Sequence, residues 1–420
     1  MDATGRPARL DLRRHESPDP AEAGEDAGLA ARIRAEIAEG GPMSFARFMD
    51  LALYDPDGGY YRAPDARPGR AGDFVTAPEL HPIFGATLAS AVRDAWDALG
   101  RPEPFVVVEH GAGTGALAAP LLAELASTPL GEVVRYHPVD VDERRTRALA
   151  ARLAAAGLDR CLAPDPPAAF AGVVIANEVL DALPVHRVRR RGDRLVELAV
   201  TVGLDGALAE TEIAPTTPDL AARLAGEDVV LADGQTAELC LALDAWVAAA
   251  ARPLARGLVL LIDYGYPAAE LYDPLRRHDG TLRAYVRQRV HDDPYRHVGR
   301  QDLTAHVDVT AVERAAHAAG LTTVGITTQA EALMSLGIER RLQAVQADPA
   351  TTAEAYRELR GSLMRLLDPA AMGRFRVMAF GRDWPEPRGD APFGLFRFRL
   401  PERRRREPAP SPTAADGAAR

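Results

Sequence analysis

The stretch FVVVEHGAGTGALA (105–118) constrains the fold of this chain more than any other. Four consecutive apolar residues run into Glu109 and His110, and glycines follow at 111, 113 and 115. An apolar run of that kind reads as a strand buried on both faces, and the residues after it (TGALAAPLLAELAST) have helical apolar spacing. The alternation then repeats. VVRYHPVDVD precedes the helical ERRTRALAARLAAAG, and GVVIANE and GLVLLIDYG are two further apolar runs. Strands apolar on both faces, alternating with helices, imply a parallel sheet covered on both sides: an α/β, Rossmann-like core. Two helical stretches, LAARIRAEIAEG and SFARFMDLALY, lie ahead of it.

The chain has 420 residues, 47% of them hydrophobic, so it can bury a sizeable core. No apolar run reaches the ~18–20 residues that cross a bilayer, and the N-terminus lacks the apolar centre of a signal peptide. A soluble, cytoplasmic protein is expected. A net charge of −10 argues against a general nucleic-acid binder. Cys161 and Cys240 make neither a disulfide framework nor a zinc site, which fits a reducing compartment. No lysine occurs, so Schiff-base chemistry is excluded. The polar residues 1–27 and the basic, Pro/Ala-rich residues 401–420 read as disordered tails. Between them we expect an N-terminal helical and lid region at 28–100 and a core at 101–400. The core carries insertions at about 185–250, opening with a Gly-Asp hairpin, and at 264–310, where little periodicity is visible.

Glycines after a buried strand let the backbone turn sharply and let a ligand touch the chain. Glycine spacing alone does not separate a dinucleotide from other nucleosides, because Ala116 stands at the last fingerprint position. Glu109 tilts the balance. A carboxylate at the strand end attracts an ammonium and repels a pyrophosphate. Asp140, ending the next strand, suits ribose hydroxyls. The ligand that best fits an acid-rich rim is S-adenosylmethionine, a sulfonium with an amino-acid tail.

ANEVLDALPVH (176–186) follows another buried strand, so Asn177, Glu178 and Asp181 fall on the same rim. A helix cap is the competing assignment for Asn177 or Asp181. Carboxylates can clamp a guanidinium bidentately, leaving one nitrogen more nucleophilic. Asp263 ends the fourth strand at that rim too, and Asp302 or Thr304 are candidates to cap a helix starting near Thr310. The histidines His291, His297 and His306 match no usual metal spacing, and hydrogen-bonding roles suit them better. GDFVTAPELHPIFG (72–85), with Asp73, Thr76, Glu79 and His81, can fold over the cofactor as a lid, its helix start reading as a capping box at Thr76 and Glu79.

These segments together resemble a known family. SFARFMDLALYDPDGGYY, GDFVTAPELHPIFG, ANEVLDALPVHRV, LLIDYGY, GTLRAYVRQRVHDDP and QDLTAHVD, in order over about residues 30–385, are similar to the MidA-like protein arginine methyltransferases. The resemblance implies a Rossmann-like methyltransferase using S-adenosylmethionine. It also implies an arginine on a protein substrate as acceptor, in the mitochondrial members on a respiratory complex I subunit. Carried over by position, it places Gly111, Gly113, Gly115 and Asp140 at the cofactor and Glu178 and Asp181 at the catalytic centre; beside it, the charge and rim readings add Glu109 and Asn177 to the cofactor site, and His306 of the polar loop is a further catalytic candidate. A homodimer is a further expectation. His110, Ala112 and Thr114 depart from the family pattern. A small-molecule methyltransferase and a non-catalytic, cofactor-binding assembly factor are the alternatives.

Overall fold

The computed structural model describes residues 24–63, 75–163, 165–287, 289–386 and 393–398. Most of the expected N-terminal tail, the C-terminal tail and Asp73 lie outside the described residues. The first tail ends earlier than expected: Asp26 caps the first helix by accepting the Leu29 N–H at 3.0 Å.

Six strands form the central sheet: β1 (Phe105–His110), β2 (Val134–Val139), β3 (Phe170–Asn177), β4 (Leu254–Asp263), β5 (Thr322–Thr328) and β6 (Arg376–Arg382). Their order is β5-β6-β4-β3-β1-β2. The pairs β1–β2, β1–β3 and β3–β4 are parallel, and β6 runs antiparallel to both its neighbours. The period of two along each strand sorts the side chains into two layers. Val107, Val173, Ile175, Leu258 and Leu260 enter one apolar cluster, and Val106, Val108, Val174, Val259 and Leu261 enter the other. Burying each such side chain is worth roughly 1.5–3 kcal/mol, which is why both faces must be covered.

The chain's helices include α1 (Ala27–Gly40), α2 (Phe45–Tyr54), α3 (Ala77–Leu80), α4 (Ile83–Ala98), α5 (Ala118–Ala126), α6 (Glu143–Ala155), α7 (Leu243–Ala251), α8 (Val309–Ala318) and α9 (Ala353–Leu367). Residues of α4, α5, α6 and α9 fill the first layer; those of α7 and α8 fill the second. The expected N-terminal unit is therefore divided. α4 belongs to the core, whereas α1 and α2 pack with the two insertions through Leu29, Ile33, Phe45, Phe48, Val200, Leu282 and Leu303.

The first insertion supplies four strands of a five-stranded sheet, whose fifth strand is Met43–Ser44 from the N-terminal region. Its hairpin turns at Gly192-Asp193, with Arg191 opposite Arg194 and Gly192 at φ 57°. It ends near 240 rather than 250, since α7 returns to the core. The second insertion carries short strands that its weak periodicity hid: Arg283–Val286 pairs with both Arg289–His291 and Asp302–Thr304. Asp302 and Thr304 are thus strand residues. The cap of α8 is Asp308, which accepts the Ala311 N–H at 3.1 Å.

Candidate active site

The carboxyl ends of β1, β2, β3 and β4 lie side by side, so the segments after His110, Val139, Asn177 and Asp263 share one rim. The three loop glycines adopt φ of 70°, 53° and 80°, which L side chains reach only under strain. They serve different ends. A Cβ at Gly111 would sit 2.6 Å from Val179 Cγ2, so that glycine is required by the protein. A Cβ at Gly113 would find nothing nearer than the Gly111 carbonyl at 3.9 Å, so its bareness leaves space for a ligand. Asp140 fixes the loop: one carboxylate oxygen accepts the Gly113 N–H at 2.9 Å and the other the Asp142 N–H at 3.0 Å.

A cavity of about 300 Å³ opens over this loop, and Glu109, Gly111, Gly113, Asp140, Asn177 and Glu178 all line it. Tyr61, in the short 3-10 turn Tyr60–Arg62 beyond α2, and the lid residues Thr76, Pro78 and Glu79 close its other side. Four carboxyls face the cavity and Arg145 is the cation among its described lining residues. The oxygens Glu79 Oε2 and Asn177 Oδ1 are buried without a hydrogen-bond partner. Bare backbone, acids and orphaned acceptors suit a cationic nucleoside. Glu109 is 4% exposed and accepts the Tyr136 hydroxyl at 2.6 Å. Burial, reinforced by Asp140, pushes its carboxyl up to about 8 in spite of that hydrogen bond. Below that pH a cation must first displace a proton. Affinity for S-adenosylmethionine is therefore expected to rise with pH and level off above about 8, and Glu109→Gln to flatten the profile; calorimetry across pH checks both.

His110, unaccounted for by sequence, also lines this cavity, and its ring meets Trp246 of α7 edge-on at 5.4 Å. Burial lowers it to about 4, so it stands as a neutral aromatic wall. Trp246 sits in an alanine-rich helix without any sequence signal for a ligand role.

The lid is held by the candidate catalytic residue itself. α3 has no side-chain cap. Instead of the expected capping box, the Ala77 N–H donates to Glu178 Oε1 at 2.9 Å, and the Asn177 amide donates to the same oxygen at 3.1 Å. His81 begins α4 by accepting the Ile83 N–H at 3.0 Å. Beside the lid, Arg145 lies over the Tyr61 ring at 5.5 Å.

No helix follows β3, which removes the capping assignment for Asn177 and Asp181. The chain makes a strained turn, with Glu178 at φ 53°. Asp263 holds it: one oxygen accepts the N–H groups of Val179, Leu180 and Asp181 at 3.2, 2.9 and 3.3 Å. Glu178 is thereby turned into the wall between the cofactor cavity and a second chamber of about 320 Å³. Asp181, Asp302, Tyr264 and Tyr285 also line that chamber. Burial, with Asp181 nearby, pushes Glu178 up to about 8, and burial pushes Asp181 up to about 6.

His306 takes a different place from the one expected. It lines a small void of about 20 Å³ with Cys240 and Leu243, and its ring packs edge-on against Tyr264 at 5.3 Å. It supports a chamber wall from behind. Asp302, Tyr61, Tyr264 and Tyr285 were present in the motifs DGGYY, DYGY, LRAYV and QDLT, but no spacing tied them to the site.

A doubly covered, mostly parallel sheet whose rim carries this loop and an acid-lined cavity defines a Rossmann-like core for a cationic nucleoside cofactor. Residues 87–327 match the family described as "Putative S-adenosyl-L-methionine-dependent methyltransferase". The chain belongs to this family and is an S-adenosylmethionine-dependent methyltransferase. Among curated relatives, the Drosophila melanogaster protein named "Protein arginine methyltransferase NDUFAF7 homolog, mitochondrial" is 30% identical over 90% of both chains. The Homo sapiens protein arginine methyltransferase NDUFAF7 is 26% identical over 82% of this chain and 81% of its own. A Burkholderia thailandensis protein crystallised with S-adenosyl-homocysteine superposes with a TM-score of 0.81 at 38% identity, covering 91% of this chain and 98% of that one. Among the described residues no helix is long and apolar enough to cross a membrane.

Proposed function

We propose that this methyltransferase acts on an arginine side chain of a protein. The observation that carries the reading is the second chamber, where Glu178, Asp181 and Asp302 meet beside the cofactor cavity and Glu178 belongs to both. Several buried carboxyls in one space cannot all ionise without a cation to neutralise them. A guanidinium stays charged and can hydrogen-bond more than one of them. The curated relatives named as protein arginine methyltransferases support the same acceptor. We extend the proposal to a subunit of a respiratory complex I homologue, on the strength of the family resemblance.

S-adenosylmethionine supplies an electrophilic methyl group when bound. The residues here orient and shield. Asp140 holds the glycine loop open, the lid excludes water, and Glu178 faces the acceptor from the wall between the cavities. Comparative methyl-arginine proteomics of strains with and without the gene tests the reading; an unchanged set of methylated arginines would overturn it.

A pH profile follows from Glu178. Its carboxyl stands at about 8 before the acceptor enters, and only the ionised form holds a cation. At saturating cofactor, kcat/KM for the acceptor is expected to rise with pH to a plateau above about 8, and Glu178→Gln to remove this step.

A further inference from the structure

We propose that Asp302, positioned by the Tyr61 hydroxyl, selects a guanidinium acceptor over an ammonium or a neutral amide. The inference rests on the acceptor reading above and names the residue that enforces it. Asp302 opens the strand Asp302–Thr304 of the second insertion, opposite Tyr285. It is 1% exposed, and its Oδ1 accepts the Tyr61 hydroxyl at 2.8 Å. Tyr61 lines the cofactor cavity and Asp302 the second chamber, so this hydrogen bond crosses the partition between them. Tyr61 is itself held from behind, stacked on Tyr54 at 5.5 Å.

An independent observation points to a missing donor. Asp181 is 6% exposed, lines the same chamber, and its Oδ1 has no hydrogen-bond partner. The chamber therefore presents acceptors on carboxylates from separate elements: Glu178 and Asp181 on the turn after β3, Asp302 on the insertion. The cation among its described lining residues, Arg365, is exposed. A planar guanidinium offers five N–H donors spread over a fork and can reach several such acceptors at once. A lysine ammonium concentrates three donors at one point, and a neutral amide leaves the carboxylates uncompensated. The rings of Tyr264 and Tyr285 add aromatic surface to the same chamber.

The test measures binding of three small probes, methylguanidinium, methylammonium and methylurea, by calorimetry to the full chain saturated with S-adenosyl-homocysteine. Wild type is expected to bind methylguanidinium at least about tenfold more tightly than methylammonium, and methylurea not measurably. Asp302→Asn keeps size and shape; it is expected to weaken methylguanidinium about tenfold or more and to erase the preference over methylammonium. Tyr61→Phe removes one hydroxyl and is expected to reduce the preference about threefold, an outcome that a purely structural role for Tyr61 would not produce. If wild type prefers methylguanidinium and either variant keeps that preference intact, the selection device is overturned while the arginine reading stands. If wild type binds no methylguanidinium, the acceptor reading fails and this inference with it. Should Asp302→Asn not fold, as judged by S-adenosyl-homocysteine binding, Tyr61→Phe decides.

Discussion

Gly113→Arg abolishes cofactor binding: in calorimetry with S-adenosyl-homocysteine the affinity falls by at least about 100-fold, equivalent to about 2.7 kcal/mol. The reason lies in what surrounds this glycine. Its Cβ would meet no protein atom closer than 3.9 Å, so a longer side chain extends into the cavity that the cofactor needs, without disrupting the packed core. Gly113→Ala separates the two contributions. It meets only the strain of φ 53°, about 1–2 kcal/mol, and retains most of the cavity. Gly111→Ala is expected to behave differently, because its Cβ collides with Val179 at 2.6 Å and disturbs the turn that carries Glu178. Retention of wild-type affinity by Gly113→Arg would place the cofactor elsewhere.

Glu178→Gln is expected to cut methyl transfer by roughly 10²–10³-fold, the loss usual when a buried charge partner of a cation is removed. The readout is labelled methyl incorporation into proteins of an extract from a strain lacking the gene. The substitution is chosen because glutamine keeps an Oε1 that can still accept the Ala77 N–H, now 2.9 Å from the carboxylate, so the lid contact survives. Cofactor affinity should change by less than about threefold, which separates loss of acceptor binding from collapse of the cavity. Transfer at the wild-type rate would show that Glu178 serves the lid alone.

Elements with strong local patterns were legible. The apolar runs of β1, β3 and β4 and the periodic helices α5 and α6 stand where the alternation puts them, because burial on both faces leaves a one-dimensional signature. The same holds for the glycine loop, whose backbone demands are local. The second insertion was opaque. Its strands are two to four residues long, and their partners are chosen by packing against α2 and the first insertion. The helix caps failed for a related reason. Thr76 has the right type and spacing, but the first-turn N–H of α3 found a carboxylate 101 residues away. His306 was placed by its motif, and nothing in the motif reveals that Tyr264 stands in front of it.

The sequence by itself determined the parallel core, the rim on which the chemistry must sit and the cationic nucleoside that the acids around EHGAGTG favour. Each of these follows from hydrophobic period, backbone freedom and charge within a short window. Only the tertiary structure decided which carboxyls share a space. Glu178 divides two cavities because Asp263, 85 positions further on, gathers three backbone N–H groups of its turn. Tyr61 and Asp302 meet across 241 residues through one hydrogen bond. Such pairings depend on how layers dock, and docking is fixed by the packing of the whole chain rather than by any stretch of it.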